Sequence, residues 1–366
     1  MGKVLITAST WGHIRSFHLP YLRELKRLGW EVHVGCPGIP EDAPYIDQPV
    51  LLPFEKRTAA PANFRAAHIL RQRIKAEHYD LIITHTTLAA FFTRLAVKGM
   101  KRRPRLINVM HGYLFDEGMS ALKRGLLLKA EQITAGETDL LLTMNAWDEA
   151  AAKKYRLGAR IVRIPGVGAD FSRLDAADAS EGQALREKLG IPKENFVLIF
   201  PAEFSVNKSQ SVLIRAMRML PERVTLVLCG VGRELEACKT LAAELRLDDR
   251  VLFPGYVTDM AKWYRMADAA VSASRKEGLP FNVMEAMHLG LPVVASAAKG
   301  NTDLVQDGVT GFLYPYGDAE ACAACIRRLL EDPELCRSLG EKAKEAAEPY
   351  ALERVLPLVM EHYLGE

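Results

Sequence analysis

The feature that most constrains this chain is an alternation that is written out twice. Apolar runs of strand length, punctuated by Gly, Pro, Asn or Asp, alternate with longer segments that carry one apolar stripe. In the first half the strand-like runs are KVLITAS, EVHVGCP, DLIITHT, RLINVMHG, DLLLTMN and RIVRIPG. Between them lie GHIRSFHLPYLRELKRLG, read as one helix ending at Gly29, then PANFRAAHILRQRIKAEH, LAAFFTRLAVKG and helical segments around 119–135 and 147–156. Buried apolar strands separated by one-faced helices predict a parallel sheet covered by helices on both sides.

The pattern stops over GVGADFSRLDAADASEG (166–182), which has no strand-like run and is read as a linker. It then restarts with NFVLIFPA, VTLVLCG, RVLFPG, AAVSAS and GFLYP, again with helical segments between. A chain of 366 residues exceeds the usual size of one core, so two domains are expected. The predicted fold class is α/β: two tandem Rossmann-like, doubly wound domains, 1–168 and 183–346, facing a cleft at the carboxyl ends of their strands, where open α/β sheets bind ligands. Residues 347–366 are expected to form a helix that packs back on the first domain.

Composition excludes several classes. The chain is 49% hydrophobic and 25% charged, with no apolar run of membrane-spanning length. MGKVLITAST is too short and too strand-like for a signal peptide, and six scattered cysteines suit a reducing compartment, so a cytoplasmic protein is expected. Cys322 and Cys325 form a C-x-x-C inside a helical pattern with no second pair, and are read as two small helix residues. The net charge of +3 is uneven: residues 1–170 hold 25 Lys and Arg against 16 Asp and Glu. KGMKRRPR (98–105) concentrates five of these basic charges. Such a half suits an anionic membrane surface or an ordinary solvated one, while the missing nucleic-acid signatures argue against DNA or RNA.

Chemistry concentrates in EGLPFNVMEAMHLGLPVVAS (277–296). Pro280 stands where a helix begins and Gly290 where it stops, so the helix N-terminus offers amide groups and partial positive charge to a phosphate. Glu277 precedes that helix and Glu285 lies within it. Phosphate repels carboxylates, but the hydroxyls of a ribose and a hexose suit them. The alternative is an acid satisfying the helix dipole plus a surface glutamate.

With its flanks, this stretch resembles the family 4 retaining glycosyltransferases, which have the two-Rossmann-domain GT-B fold. The signature is E-x7-E, matched by Glu277 and Glu285 within SRKEGLPFNVMEAMHLGLPVVAS. The resemblance extends to TDMAKWYRMADAAVSAS, GNTDLVQDGVTGFL, NVMHGYLF and IPGVGADF, and thus over nearly the whole chain. It is similar to the branch that builds bacterial capsule, exopolysaccharide or lipid-linked glycans.

The resemblance implies an acceptor-side first domain and a second domain that binds a nucleotide sugar. Glu277 would contact donor-sugar hydroxyls and Glu285 the ribose. The amides of Phe281 and Asn282 would hold the distal phosphate, with Gly278 and Leu279 near the sugar. Lys208 would neutralise the diphosphate leaving group, favouring cleavage of the sugar–phosphate bond. His111, in MHGY, would lie beside the donor sugar, and Gly12 would let backbone approach substrate. His13 is a candidate for acceptor or diphosphate. Gly230, in a partial G-x-G turn, would lie beside the nucleotide and Val257 beside the base. Glu203 stands where many members have arginine, a feature of the polysaccharide-type branch that leaves the second cation to Arg275 or the helix terminus.

The expected enzyme moves a hexose or N-acetylhexosamine from a UDP-sugar to a lipid-linked or saccharide acceptor, with retention and with neither metal nor cofactor. It would work at the inner face of the plasma membrane or free of it. A nucleotide-sugar epimerase and a silent nucleotide-sugar-binding protein are the alternatives. An NAD-dependent oxidoreductase stands further off, because the phosphate fingerprint is incomplete.

Overall fold

A computed structural model describes residues 2–116 and 118–365. The chain forms two compact units: one runs to Gly168 and takes in the segment from Glu353 onward, and the other is Ala169–Leu352.

The first unit is built on strands β1 (Lys3–Thr7), β2 (Glu31–Cys36), β3 (Gln48–Leu51), β4 (Leu81–His85), β5 (Arg105–Met110), β6 (Leu140–Thr143) and β7 (Arg160–Arg163). They form one parallel sheet in the order β3-β2-β1-β4-β5-β6-β7. Helices cover it: Leu5, Ile82 and Leu106 pack with Leu70, Phe92 and Val97, and a second cluster joins Met110 and Leu141 to Tyr113, Phe115 and Leu157. Arg94 is fully buried yet paired, donating to Glu131 Oε2 at 2.7 Å and to the Ala90 carbonyl at 3.1 Å. The terminal segment is tied down by Arg105, which donates to the carbonyls of His362 and Tyr363 at 2.9 and 2.7 Å.

The second unit repeats the plan. Its strands β8 (Phe196–Ile199), β9 (Val224–Cys229), β10 (Val251–Gly255), β11 (Ala269–Ser272), β12 (Val293–Ser296) and β13 (Gly311–Tyr314) form a parallel sheet in the order β10-β9-β8-β11-β12-β13. Leu198, Leu226 and Val271 on the sheet meet Ile214, Cys238 and Ile326 from the covering helices. In both sheets the chain order reverses beside the first strand of the unit, between β1 and β4 and between β8 and β11. Ligand crevices open at such switch points.

Three local expectations are corrected. The second unit starts at Ala169 rather than 183, because the stretch read as a linker holds the helices Ser172–Asp175 and Ala179–Lys188. Asp178 caps the longer one, Arg186 pairs with Asp268 Oδ2 at 2.8 Å, and a Cβ on Gly182 would come within 2.5 Å of the Arg265 backbone. Polar and backbone contacts hold this helix in place, so no apolar stripe betrayed it. At the other end residues up to Leu352 stay with the second unit, where Leu352 N donates to the Ala169 carbonyl at 2.9 Å.

The helix expected over 12–29 is two helices, Trp11–Phe17 and Leu19–Arg27, broken at His18. Pro20 has no N–H for a helical bond and its ring crowds the preceding turn. Strand β3, QPVL, was not expected. It is an edge strand, where Pro49 costs little.

Among the described residues no helix is long and apolar enough to cross a membrane. Much of the basic KGMKRRPR run is spent internally: Arg103 forks onto Asp139 at 2.6 and 2.8 Å, Arg105 holds the terminal segment, and Lys98 donates to the Ile133 carbonyl. Lys98, Lys101 and Arg102 are its exposed basic members. All six cysteines are free, and burial pushes the Cys322 thiol up to about 12, an inert helix residue.

Candidate active site

In the second unit the loops after β8 and β11 are zipped together. Arg275 N donates to the Asn207 carbonyl at 2.7 Å, and Asn207 Nδ2 donates to the Lys276 carbonyl at 3.0 Å. This register brings Lys208 Nζ to 2.5 Å from Glu277 Oε1, with both side chains largely buried. A third loop supports the carboxylate from behind. Glu277 N donates to the Lys299 carbonyl at 3.0 Å, and Gly300, at φ +84°, lies where a Cβ would meet the Glu277 Cβ at 2.7 Å. Only glycine combines that φ with that approach.

The helix Phe281–His288 starts directly after this loop, with Pro280 as its cap residue. Pro280 provides no side-chain hydrogen bond, so the cap leaves the first-turn amides to other partners. Asn282 Nδ2 donates to the Pro201 carbonyl at 3.1 Å, fixing the helix start against the end of β8. Glu285, one turn in, accepts from the fully buried Tyr264 hydroxyl at 2.8 Å; the same hydroxyl reaches the Asn282 carbonyl at 3.2 Å. Burial raises the Glu285 carboxyl above its ordinary range, partly offset by the Tyr264 hydrogen bond. Burial and the Glu285 charge push the Tyr264 hydroxyl well up, so it stays a donor.

The other expected residues of this unit sort by exposure. Gly230, at φ +145°, lies so near the Ala202 carbonyl that a Cβ would meet it at 2.1 Å, and its N–H donates to Gly255 O at 2.8 Å. This turn therefore packs tightly beside the β8 loop. Val257 is half-buried and Leu279 buried, while Phe281 and Gly278 are half-buried. Glu203 is exposed, and its carbonyl is engaged, accepting from Gln210 Nε2 at 3.0 Å.

In the first unit, four histidines gather at the switch point. Thr10 caps the helix after β1 by accepting from His13 N at 3.3 Å, and the Pro20 break turns in His18. His85 ends β4 and His111 follows β5. His18 Nε2 is 3.1 Å from His13 Nε2, which is 3.4 Å from His111 Nε2, which is 3.2 Å from His85 Nδ1. Burial lowers His13 to about 4 and carries His18, His85 and His111 well below the usual imidazole range. All four are thus neutral at pH 7. Gly12, beside His13, is exposed, and a Cβ there would meet only Thr10 Oγ1, at 4.0 Å.

Of the residues singled out in the sequence, Lys208, Glu277, Glu285, Phe281 and Asn282 come together around one loop and helix start. His13 and His111 come together in the other unit. Tyr264, Gly300, His18 and His85 were missed. Tyr264 lies inside TDMAKWYRMADAAVSAS, a segment already singled out, and a hydroxyl facing a helical glutamate has no signature of its own.

Comparison with known proteins assigns this architecture. Residues 182–346 match the family described as Glycosyl transferases group 1, and residues 18–166 match the Glycosyl transferase 4-like domain. The chain is 34% identical over 350 residues to the putative glycosyltransferase EpsD of Bacillus subtilis, an overlap of 94% of this chain and 92% of that protein. It is 30% identical over 305 residues to D-inositol 3-phosphate glycosyltransferase of Xylanimonas cellulosilytica, covering 78% and 72% respectively. In fold it superposes on Anabaena HepE, solved with UDP and glucose, with a TM-score of 0.82 at 22% identity over the whole of both chains. The chain belongs to the group 1 glycosyltransferases and has their two-domain α/β GT-B fold.

Proposed function

We propose that this glycosyltransferase takes a hexose or N-acetylhexosamine from a UDP-sugar and passes it, with retention, to a lipid-linked or saccharide acceptor in bacterial surface glycan synthesis. The observation that carries the donor half is the convergence of Lys208, Glu277 and the Phe281–His288 helix start at the β8/β11 switch point. A cation and a hydroxyl acceptor 2.5 Å apart suit the junction of a sugar with a diphosphate.

Lys208 neutralises the charge that grows on the departing diphosphate as the glycosidic C–O bond breaks, and the first-turn amides at Phe281 and Asn282 share that load. Glu277 fixes the sugar through its hydroxyls. Glu285, oriented by Tyr264, accepts from the ribose. The choice of UDP is supported by the ligand of the Anabaena neighbour, and the surface-glycan role by the motif texture shared with that branch. Lys208 and the helix dipole supply the positive charge on the donor side without a metal.

Calorimetry with UDP, GDP, ADP and NAD tests the reading, with Glu285→Ala and Lys208→Ala alongside. UDP should bind and both variants should weaken it. NAD binding in its place, or UDP binding indifferent to both changes, refutes the donor site. Turnover of a UDP-sugar, with the product anomer read by NMR, separates a retaining transferase from an epimerase or a silent binder.

A further inference from the structure

From the histidine cluster of the first unit we infer a site for a divalent first-row transition metal of the Zn2+ type, held by Nε2 of His13, His18 and His111. The inference is independent of the donor reading above, since every group in it belongs to the other unit.

The first argument is a count of protons and lone pairs. The four ring nitrogens form a chain of three contacts, at 3.1, 3.4 and 3.2 Å. The two middle atoms, His13 Nε2 and His111 Nε2, each touch two neighbours. A neutral ring nitrogen offers either one proton or one lone pair. Whatever the tautomers, at most two of the three contacts are full hydrogen bonds, and the third sets like against like or splits a single proton. His18 has no relief on its other side, because its Nδ1 is buried with no partner among the described residues. A cation shared by His13, His18 and His111 removes the conflict among those three, since each of their Nε2 atoms then gives it one lone pair.

The second argument is metric. Four-coordinate zinc with nitrogen ligands at about 2.0–2.1 Å places neighbouring nitrogens roughly 3.3–3.4 Å apart. The His13–His111 and His13–His18 separations, 3.4 and 3.1 Å, fit. The ring planes of His13 and His18 cross that of His111 at 84° and 83° and cross each other at 49°, so no two of the three rings are parallel, and their ligand nitrogens all lie within 4.8 Å of one another. His85 lies stacked on His18, 3.7 Å between centroids at 27°. We take His85 as a support for the His18 ring and for His111, whose Nε2 its Nδ1 approaches at 3.2 Å, which leaves the ion one open side, suited to a hard oxygen such as a phosphate or hydroxyl. His13 and His111 keep part of their surface exposed, which gives the ion a way in. The other gathering of ligand-type groups, Glu31, His33 and Glu77, is already bridged by Lys3 Nζ at 3.2 Å to Glu31 and 2.8 Å to Glu77.

The test is a Co2+ titration of chelator-treated, full-length protein followed by visible absorption, with Zn2+ competition by calorimetry. One equivalent should give the intense bands of four-coordinate Co2+, displaced by Zn2+. His13→Ala and His18→Ala should each weaken binding by more than about 100-fold, the upper end of the loss seen when merely a supporting group is removed. His85→Phe, which keeps a stacking ring, should retain the bands. As a check that does not depend on the His18 variant folding, Zn2+ should raise the unfolding temperature of the native protein and not that of His13→Ala, whose side chain is only half-buried. No bands in the native protein, equal binding by His13→Ala, or loss of the bands in His85→Phe overturns the assignment.

Discussion

In the first unit four imidazoles gather past the ends of β1 and β5 and at the last residue of β4; in the second, the loops after β8 and β11 carry a lysine and a carboxylate, with a second carboxylate in the helix that follows. Strand order and parallel pairing around the two reversals are the same. The chemistry differs because charge is handled differently. At the second switch point groups of opposite sign meet, with Lys208 facing Glu277 across 2.5 Å. At the first, burial has stripped the protons from imidazoles that face only one another. On the readings proposed above, the second switch point would polarise a diphosphate sugar and the first would coordinate a metal ion through neutral nitrogen.

The strongest test of that contrast is Lys208→Ala, assayed for turnover of a UDP-sugar. Removing a group that stabilises charge in the transition state costs about 10²–10³-fold in kcat. A fall of less than about tenfold would mean the second crevice does not work through this cation. Next comes Glu285→Ala. Hydrogen bonds to a charged acceptor contribute about 1.5–3 kcal/mol, so UDP affinity should drop by about ten- to a hundredfold while Co2+ binding in the first unit is unchanged. Coupled loss of both would show that the crevices are not separate chemistries.

Gly300→Ala probes how Glu277 is held. A Cβ at φ +84° and 2.7 Å from the Glu277 Cβ should lower stability by about 1–2 kcal/mol and weaken sugar-nucleotide binding beyond its effect on UDP alone. Chemical denaturation beside calorimetry reads both, and an unchanged ratio of the two affinities would contradict the support role. Tyr264→Phe should cost about 1 kcal/mol in UDP binding through the loosened Glu285.

The smallest effect is on pH. Because burial raises the Glu285 carboxyl, it takes up a proton at higher pH than an ordinary carboxylate. Its ionised form is the better hydroxyl acceptor, so UDP affinity should be full at neutral pH and decline as pH falls through that raised value. Glu285→Gln should lack this arm, and superposable native and Gln curves would remove Glu285 from the ribose contact.

Legibility followed the range of the interactions. The strands were readable because a strand buried on both faces is mostly apolar, as in LIIT and VTLVLC. Strand β3 was not, since an edge strand needs pairing on one side only and tolerates Pro49. The helix Ala179–Lys188 was missed because Asp178, Arg186 and Gly182 hold it through polar and backbone contacts. Glu277 and Glu285 were legible because one loop and one helix carry both. Tyr264, from another helix, was not.

By itself the sequence determined the doubly wound plan of each unit, because hydrophobic period is a local property that accumulates along the chain. It also determined the E-x7-E pair, since eight positions of one chain fix their spacing. Only the tertiary structure decided that Lys208 meets Glu277 across a sequence separation of 69, and that the ring nitrogens of His13, His18, His85 and His111 come within 4.8 Å of one another. Those meetings depend on how loops from different strands end at the same level, which parallel pairing sets and no short stretch of sequence encodes.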